Sequence, residues 1–236
     1  MNHGLSNTRV DEISPEDAVI LQYLEKAGAV FHVRTNEPQC LMVSIPYTYL
    51  HEAIQRDTLA NQHQHLCSCN NLTGQTLNPH NRTLSPGGSS GGEGVASSFR
   101  CSPLGIGSDI GGSVRVPAAF CGSYGFKPSS CRIPTSGIKA AGMGQESVKG
   151  VLGPLASSSI DDLDLFQRAI LDQEPWDVDT SLMPLPWRRV KQAEVQKMTV
   201  GIMWDDGFVP FPFHFVFVDL LLMISILVDS SGRIHP

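Results

Sequence analysis

The sequence contains little charge and no run of basic residues. Asp, Glu, Lys and Arg together make up 17% of its 236 residues, and the formal net charge is -6. A protein that binds nucleic acid or an anionic membrane surface usually carries clustered Lys and Arg. We therefore expect neither nucleic acid nor membrane as a partner. The hydrophobic fraction of 41% is ordinary for a soluble globular chain of one large or two small domains.

The sequence also lacks a secretory signal and a membrane-spanning run. Residues 1–14 contain no apolar stretch of the kind that a signal peptide needs. The apolar run after Asp219 is far shorter than the roughly 20 residues that a spanning helix needs. Six cysteines in a chain of this length do not indicate a disulfide framework. These absences predict a cytoplasmic protein in a reducing compartment.

Hydrophobic periodicity predicts both helices and strands, which is typical of α/β proteins. Apolar residues at helical spacing predict helices over residues 14–27 and 159–171. Ser159 is placed to cap the second helix. Short apolar runs at residues 29–33 and 198–204 are predicted to be buried strands.

Residues 86–125 are rich in glycine and serine and poor in charge, which is the usual composition of a flexible linker. The stretch nevertheless contains apolar residues that a linker would not carry: Leu104, Ile106, Ile110, Val114, Val116 and Phe120. We predict tightly packed backbone here, because glycine permits unusual dihedral angles and close approach of neighbouring segments.

Three serines in this stretch are candidate nucleophiles: Ser89, Ser90 and Ser113. A serine hydroxyl needs a base within hydrogen-bonding reach and donors that hold the developing oxyanion. Consecutive backbone N–H groups over residues 110–113 can converge on one point and supply such donors. From composition alone, a packed glycine-rich turn with incidental serines is the favoured interpretation.

Other glycine-rich motifs fit less well. No lysine follows these glycines as a Walker A loop requires, and Ile110 stands where a dinucleotide fingerprint needs its third glycine. Residues 87–91 do match G-x-S-x-G, the nucleophile elbow of α/β-hydrolases, with Ser89 as its serine. An elbow follows a buried strand, whereas this one follows the polar sequence NPHNRTLSP. The histidine that such a triad needs downstream could only be His214 or His235.

The run from Leu77 to Pro128, with GGSSGGEG and GSDIGGSVRVPAAFCGSYGFKPS, resembles the amidase signature family. The segment EPWDVDTSLMPLPWR resembles its fungal acetamidase branch, and the likeness extends over most of residues 4–42 and 70–207. The resemblance implies a layered α/β fold with a central mixed sheet flanked by helices. It implies hydrolysis of a small-molecule amide to a carboxylic acid and ammonia, with no metal and no organic cofactor.

The resemblance also implies the roles of individual residues. Ser113 would be the acyl-forming nucleophile, and Ser89, after a cis peptide bond, would pass a proton between Ser113 and a lysine. The oxyanion would be held by the backbone N–H groups of Ile110, Gly111, Gly112 and Ser113. The supporting polar residues would be Asp109, Arg115 and Ser90. An ordinary ion pair is the alternative interpretation of Asp109 and Arg115.

The family's base is a buried neutral lysine, and the resemblance places its position shortly before Met1. Lys26 is the only lysine that precedes Lys127, and it stands at a helix end, where a charged side chain is solvated. We therefore expect a partial, inactive amidase that holds the central portion of the fold. The alternative is a non-catalytic remnant or a mis-spliced fragment of an amidase.

Two segments interrupt the resemblance to the family. Residues 43–69 stand where the family has a handful of residues, and an apolar segment over residues 208–236 follows the partial amidase domain of residues 1–207. Val43 and Ser44 can be encoded by GTAAGT, a common splice-donor sequence, and the second segment suits a pyrimidine-rich tract. We infer that residues 43–69 and about 208–231 are translated introns, and that residues 232–236 resume the resemblance to the family.

The first of these segments contains a possible metal cluster, formed by His63, His65, Cys67 and Cys69. Their alternate spacing differs from the C-x₂-C and H-x₃-H spacing of structural zinc sites. We predict a surface loop here, and no metal site.

Overall fold

The computed structural model describes residues 16–38, 67–70, 73–138 and 147–188. The chain divides into two compact units, residues 1–187 and 188–236, and the described residues belong to the first unit except for Arg188. The predicted strand over residues 198–204 and the apolar segment over residues 208–236 lie outside the described residues. The domain boundaries proposed from the sequence therefore stay predictions.

The described residues form helices, two small sheets and one 3₁₀ turn. The helices are α1 (Val19–Lys26), α2 (Gly91–Ser98), α3 (Arg115–Cys121) and α4 (Ile160–Leu171), with a 3₁₀ turn at Pro175–Asp177. The strands are β1 (Cys69–Asn70), β2 (Gly74–Gln75), β3 (Leu104–Asp109), β4 (Tyr124–Gly125) and β5 (Val151–Ala156).

The three-stranded sheet has the order β3-β5-β4, and both of its pairings are antiparallel. β3 pairs with β5 from Leu104 opposite Ala156 to Asp109 opposite Val151. β5 lies at the centre, and all six of its residues are buried. β1 and β2 form a separate two-stranded antiparallel pair. A mixed sheet was predicted, but all strand pairs among the described residues are antiparallel.

Helix α4 was predicted over residues 159–171, and the structure confirms it. The Ser159 side chain accepts a hydrogen bond from the Asp161 N–H at 3.0 Å, which satisfies one of the free donors at the helix start. One face of the helix is buried, as its apolar spacing predicted. That face packs against α1 and β5 in the main core, which consists of Ile20, Leu24, Ile133, Leu152, Phe166, Ile170 and Leu171.

The structure differs from the helix and the strand that were predicted over residues 14–27 and 29–33. Helix α1 begins at Val19, later than predicted, and no side chain caps it at Ala18. The segment over residues 29–33 is extended, but it is not assigned as a strand, and Val30 and Val33 are 83% and 57% exposed. The prediction of a buried strand was therefore wrong for the described structure. Apolar β-branched residues fit a sheet, but only a paired neighbour makes a strand.

Gly107 in β3 lets the residues that precede α2 and α3 approach the sheet closely. A Cβ added at Gly107 would lie 2.5 Å from Ser90 Oγ and 2.9 Å from Val114 Cγ2. Residues 86–125 thus contain helices and strands in packed backbone, which confirms the predicted packing and excludes a linker.

We expect Gly107→Ala to lower the free energy of unfolding by about 1–3 kcal/mol, because the added methyl group overpacks the space between β3 and Ser90. The matched control is Gly150→Ala, where the nearest atom to the new Cβ is 3.9 Å away. This control should change stability by less than about 0.5 kcal/mol. Urea unfolding of both variants measures the difference, and equal stabilities would contradict the packing described for β3.

Candidate active site

A buried carboxylate organises the loop between β3 and α3. Asp109, the last residue of β3, is 0% exposed. Its Oδ1 accepts the Gly112 N–H at 2.7 Å, and its Oδ2 accepts the N–H groups of Val114 and Arg115 at 3.2 and 3.4 Å. One side chain at the end of the strand thus fixes the loop that contains Ser113.

Arg115 closes this arrangement from the solvent side. Its Nε donates to Asp109 Oδ2 and its Nη2 donates to Asp109 Oδ1, both at 3.0 Å. This is the bidentate geometry that suits a guanidinium and a carboxylate. Burial by itself raises the pKa of the Asp109 carboxyl. The hydrogen bonds from Arg115 and from three backbone N–H groups outweigh burial and hold this pKa below its ordinary value. The pair therefore supports the serine loop and is more than an isolated surface ion pair.

Ser113 is 6% exposed and lies directly before Val114, the N-cap of α3. Within the described part of the chain, the N–H groups of Ile110, Gly111 and Ser113 donate to no protein acceptor. Gly112 was predicted to be an oxyanion donor, but its N–H already donates to Asp109. We therefore keep three of the four predicted donors as candidates for the oxyanion.

The other two serines lie on the loop that leads into α2. Ser89 and Ser90 are 4% and 8% exposed, and the Gly88–Ser89 peptide bond is cis. The Ser90 N–H donates to the carbonyl oxygen of Ser113 at 3.1 Å, so backbone hydrogen bonding joins the two serine loops. The fold thus brings together the three serines that the sequence singled out. Residues 76–89 form no strand, so the context of a hydrolase elbow is missing before Ser89.

A fourth serine belongs to the site and was missed by the sequence reasoning. Ser68 is 1% exposed, and its hydroxyl donates to the Ser89 carbonyl oxygen at 2.9 Å and accepts the Gly91 N–H at 2.8 Å. It lies in the segment interpreted as foreign, residues 43–69, of which the structure describes only residues 67–69. The foreign origin of residues 43–66 stays a prediction, whereas Ser68 makes contacts inside the site. In the sequence, only one signal marked Ser68: it is a serine close to residue 70, where the resemblance to the family resumes.

A cavity of about 290 Å³ opens beside Ser89 and Ser90, between α1, the extended residues 30–37 and β3. No described lysine lines it: Lys26, Lys127 and Lys149 are all absent from its walls. Lys26 is exposed at the end of α1, with its Nζ 5.2 Å from the centre of the Tyr23 ring. The described residues therefore bring no lysine to the serines.

Of the four candidate metal ligands, Cys67 and Cys69 lie among the described residues. His63 and His65 lie outside the described residues. In the described ranges, no group of three or more His, Cys, Asp or Glu side chains is placed to hold a metal ion. Cys67 Sγ instead lies 3.2 Å from Ser85 Oγ. None of the described helices has the length and apolar character that crossing a bilayer requires.

Comparison with known proteins identifies the family. The amidase family model matches residues 6–214, so the chain belongs to the amidase family. It is 43% identical to an acetamidase of Aspergillus oryzae over 194 residues, which are 80% of this chain and 31% of that protein. An acetamidase of Emericella nidulans is also 43% identical, over 73% of this chain and 27% of its own length.

A solved fatty acid amide hydrolase has the same fold, with 43% identity and a TM-score of 0.73 over 88% of this chain and 32% of that one. The fold is thus the mixed α/β fold of amidase signature enzymes. The chain spans about a third of the length of the curated relatives it matches.

Proposed function

We propose that this chain carries the nucleophile-bearing part of an amidase that hydrolyses a small carboxamide to a carboxylic acid and ammonia. One observation carries the proposal: the Asp109-organised loop holds a nearly buried Ser113 beside three backbone N–H groups that have no protein acceptor in the described chain. Amide hydrolysis needs a nucleophile and oxyanion donors placed together in this way.

The proposed reaction has two halves. Ser113 Oγ attacks the amide carbon, and the N–H groups of Ile110, Gly111 and Ser113 hold the negative charge that develops on the carbonyl oxygen. The C–N bond then breaks, and ammonia leaves with a proton relayed through Ser89. Water attacks the resulting acyl-enzyme, one of its protons returns to Ser113 Oγ through Ser89 as the C–O bond breaks, and the acid is released. During the first attack, the proton from Ser113 passes through Ser89 to a lysine base. This transfer completes the Ser-Ser-Lys mechanism.

The described residues place no lysine at the cavity beside Ser89, which favours a second candidate function, a non-catalytic remnant. We propose that residues 1–236, expressed alone, do not hydrolyse amides by this mechanism. Without a base, a serine site keeps only the contributions of its oxyanion donors and binding contacts, and the rate falls by several orders of magnitude, about 10³-fold or more. We further propose a cytoplasmic location, a small amide as the partner, and neither nucleic acid nor membrane binding.

The experiment compares residues 1–236 with their Ser113→Ala variant. Ammonia release from acetamide should be equal for the two chains, because no base activates Ser113. A fluorophosphonate probe should nevertheless phosphonylate Ser113 slowly, with a new O–P bond and loss of fluoride. Propylamine should accelerate this step saturably, because a small amine fits the cavity beside Ser89 and takes the proton that Ser113 passes to Ser89.

Two outcomes would contradict parts of this proposal. Acetamide hydrolysis that disappears in Ser113→Ala would show that a base lies within residues 1–236, and would overturn the inactivity of the chain. Absence of any adduct at Ser113, with or without propylamine, would overturn its role as the nucleophile.

A further inference from the structure

One peptide group joins two loops of the site. The carbonyl oxygen of Ser89 and the N–H of Ser90 belong to the same planar unit. The carbonyl accepts the Ser68 hydroxyl at 2.9 Å, and the N–H donates to the Ser113 carbonyl oxygen at 3.1 Å. Because the unit is rigid, the group that orients its carbonyl also orients the N–H that holds Ser113.

Ser68 has a second contact on the same loop. Its Oγ accepts the Gly91 N–H at 2.8 Å, at the first residue of α2. The hydroxyl is therefore used both as donor and as acceptor, on either side of Ser90. At 1% exposure, Ser68 is buried. A Cβ added at Gly91 would collide with the Ser68 hydroxyl, so the two residues are in tight contact.

We propose that Ser68 is a positioning residue for the serine site. Its hydroxyl fixes the orientation of the Ser89–Ser90 peptide group and, through it, the position of Ser113 relative to Ser89. The significance for catalysis rests on the proposed function, whereas the geometrical role can be tested without it. Small displacements matter here, because an error of about 1 Å between reacting groups can lower a rate by about 100-fold.

The test uses residues 1–236 and compares Ser68→Ala with Ser97→Ala. Ser97 is a matched control, because it is also 1% exposed and its Oγ has no hydrogen-bond partner among the described residues. The first readout is amide hydrogen exchange at Ser90, measured by nuclear magnetic resonance. Ser68→Ala should speed this exchange by about tenfold or more, since the loss of one hydrogen bond loosens the peptide group. Ser97→Ala should leave it unchanged.

The second readout is the rate constant of Ser113 phosphonylation by a fluorophosphonate with saturating propylamine, under conditions where urea unfolding shows each variant to be folded. Ser68→Ala should be about tenfold slower than wild type, and Ser97→Ala should be equal to it. If Ser68→Ala does not fold, Ser68→Cys keeps a weaker donor and should give intermediate values for both readouts.

The outcomes separate the two proposals. Unchanged amide hydrogen exchange at Ser90 in the Ser68→Ala variant would overturn the positioning role, whatever the rate constant of Ser113 phosphonylation. A folded Ser68→Ala variant that is phosphonylated at the wild-type rate would also overturn it. Faster Ser90 exchange in a protein whose Ser113 never reacts would support the role of Ser68 and overturn the proposed function instead.

Discussion

Ser113→Ala is expected to lower amine-assisted phosphonylation of the chain by at least about 100-fold, because it removes the only hydroxyl proposed to bond to phosphorus. The reaction rate is followed by intact mass spectrometry of residues 1–236 with a fluorophosphonate and saturating propylamine. The effect should be large because a surface serine lacks both the oxyanion donors and the neighbouring serine loop.

Ser97→Ala is the control for this prediction, since Ser97 is a buried serine of helix α2 that we place outside the reaction. It should react at the wild-type rate. A Ser113→Ala chain that still gains one phosphonyl group at the wild-type rate would assign the nucleophile to another residue. Ser89, the serine of the G-x-S-x-G match, would then be the first alternative.

Asp109→Asn is expected to lower the free energy of unfolding at pH 7 by about 2–4 kcal/mol, because breaking a buried charged network leaves its donors unsatisfied. The carboxylate accepts three backbone N–H groups and the two-pronged guanidinium of Arg115. An amide of the same shape offers one acceptor oxygen, and its NH₂ group faces donors. The serine loop should loosen, and phosphonylation of Ser113 should slow by about 10-fold or more.

The pH dependence of this effect follows from the pKa of Asp109, which is lower in the folded state than in the unfolded chain. Its stabilising contribution is fully present above the unfolded value of about 3.9 and is lost as the pH falls through the folded value. Urea unfolding of wild type and Asp109→Asn at pH 7 and at a series of pH values that ends well below the unfolded pKa measures the change. The two proteins should converge in stability at low pH. A difference that persists there unchanged would contradict the role given to the charge.

The sequence was informative where function depends on a contiguous motif. The serines of GGSSGGEG and of GSDIGGSVR were recognisable through the resemblance to the amidase signature family, whereas the interrupting apolar residues predicted only that the glycine-rich stretch is packed. The partnership of Asp109 and Arg115 was also foreseeable, since the two charges flank the nucleophile. Helix α4 was predictable because its apolar spacing and its Ser159 cap are local signals.

The parts that the sequence could not predict depend on distant partners. Ser68 lies 21 residues from the Ser89 carbonyl that it contacts, and no periodicity links them. Gly112 could not be separated from the neighbouring donors, because only the loop geometry turns its N–H towards Asp109. The apolar residues 29–33 have a strand composition, but strand formation depends on a paired neighbour that composition does not reveal.

The role of Ser113 as nucleophile is tested most directly by peptide mapping of the fluorophosphonate adduct on residues 1–236 in the presence of propylamine. We predict that the phosphonyl group is found on Ser113, in the peptide that contains Gly111 and Gly112. An adduct on Ser89 with none on Ser113 would contradict this assignment and favour the hydrolase elbow.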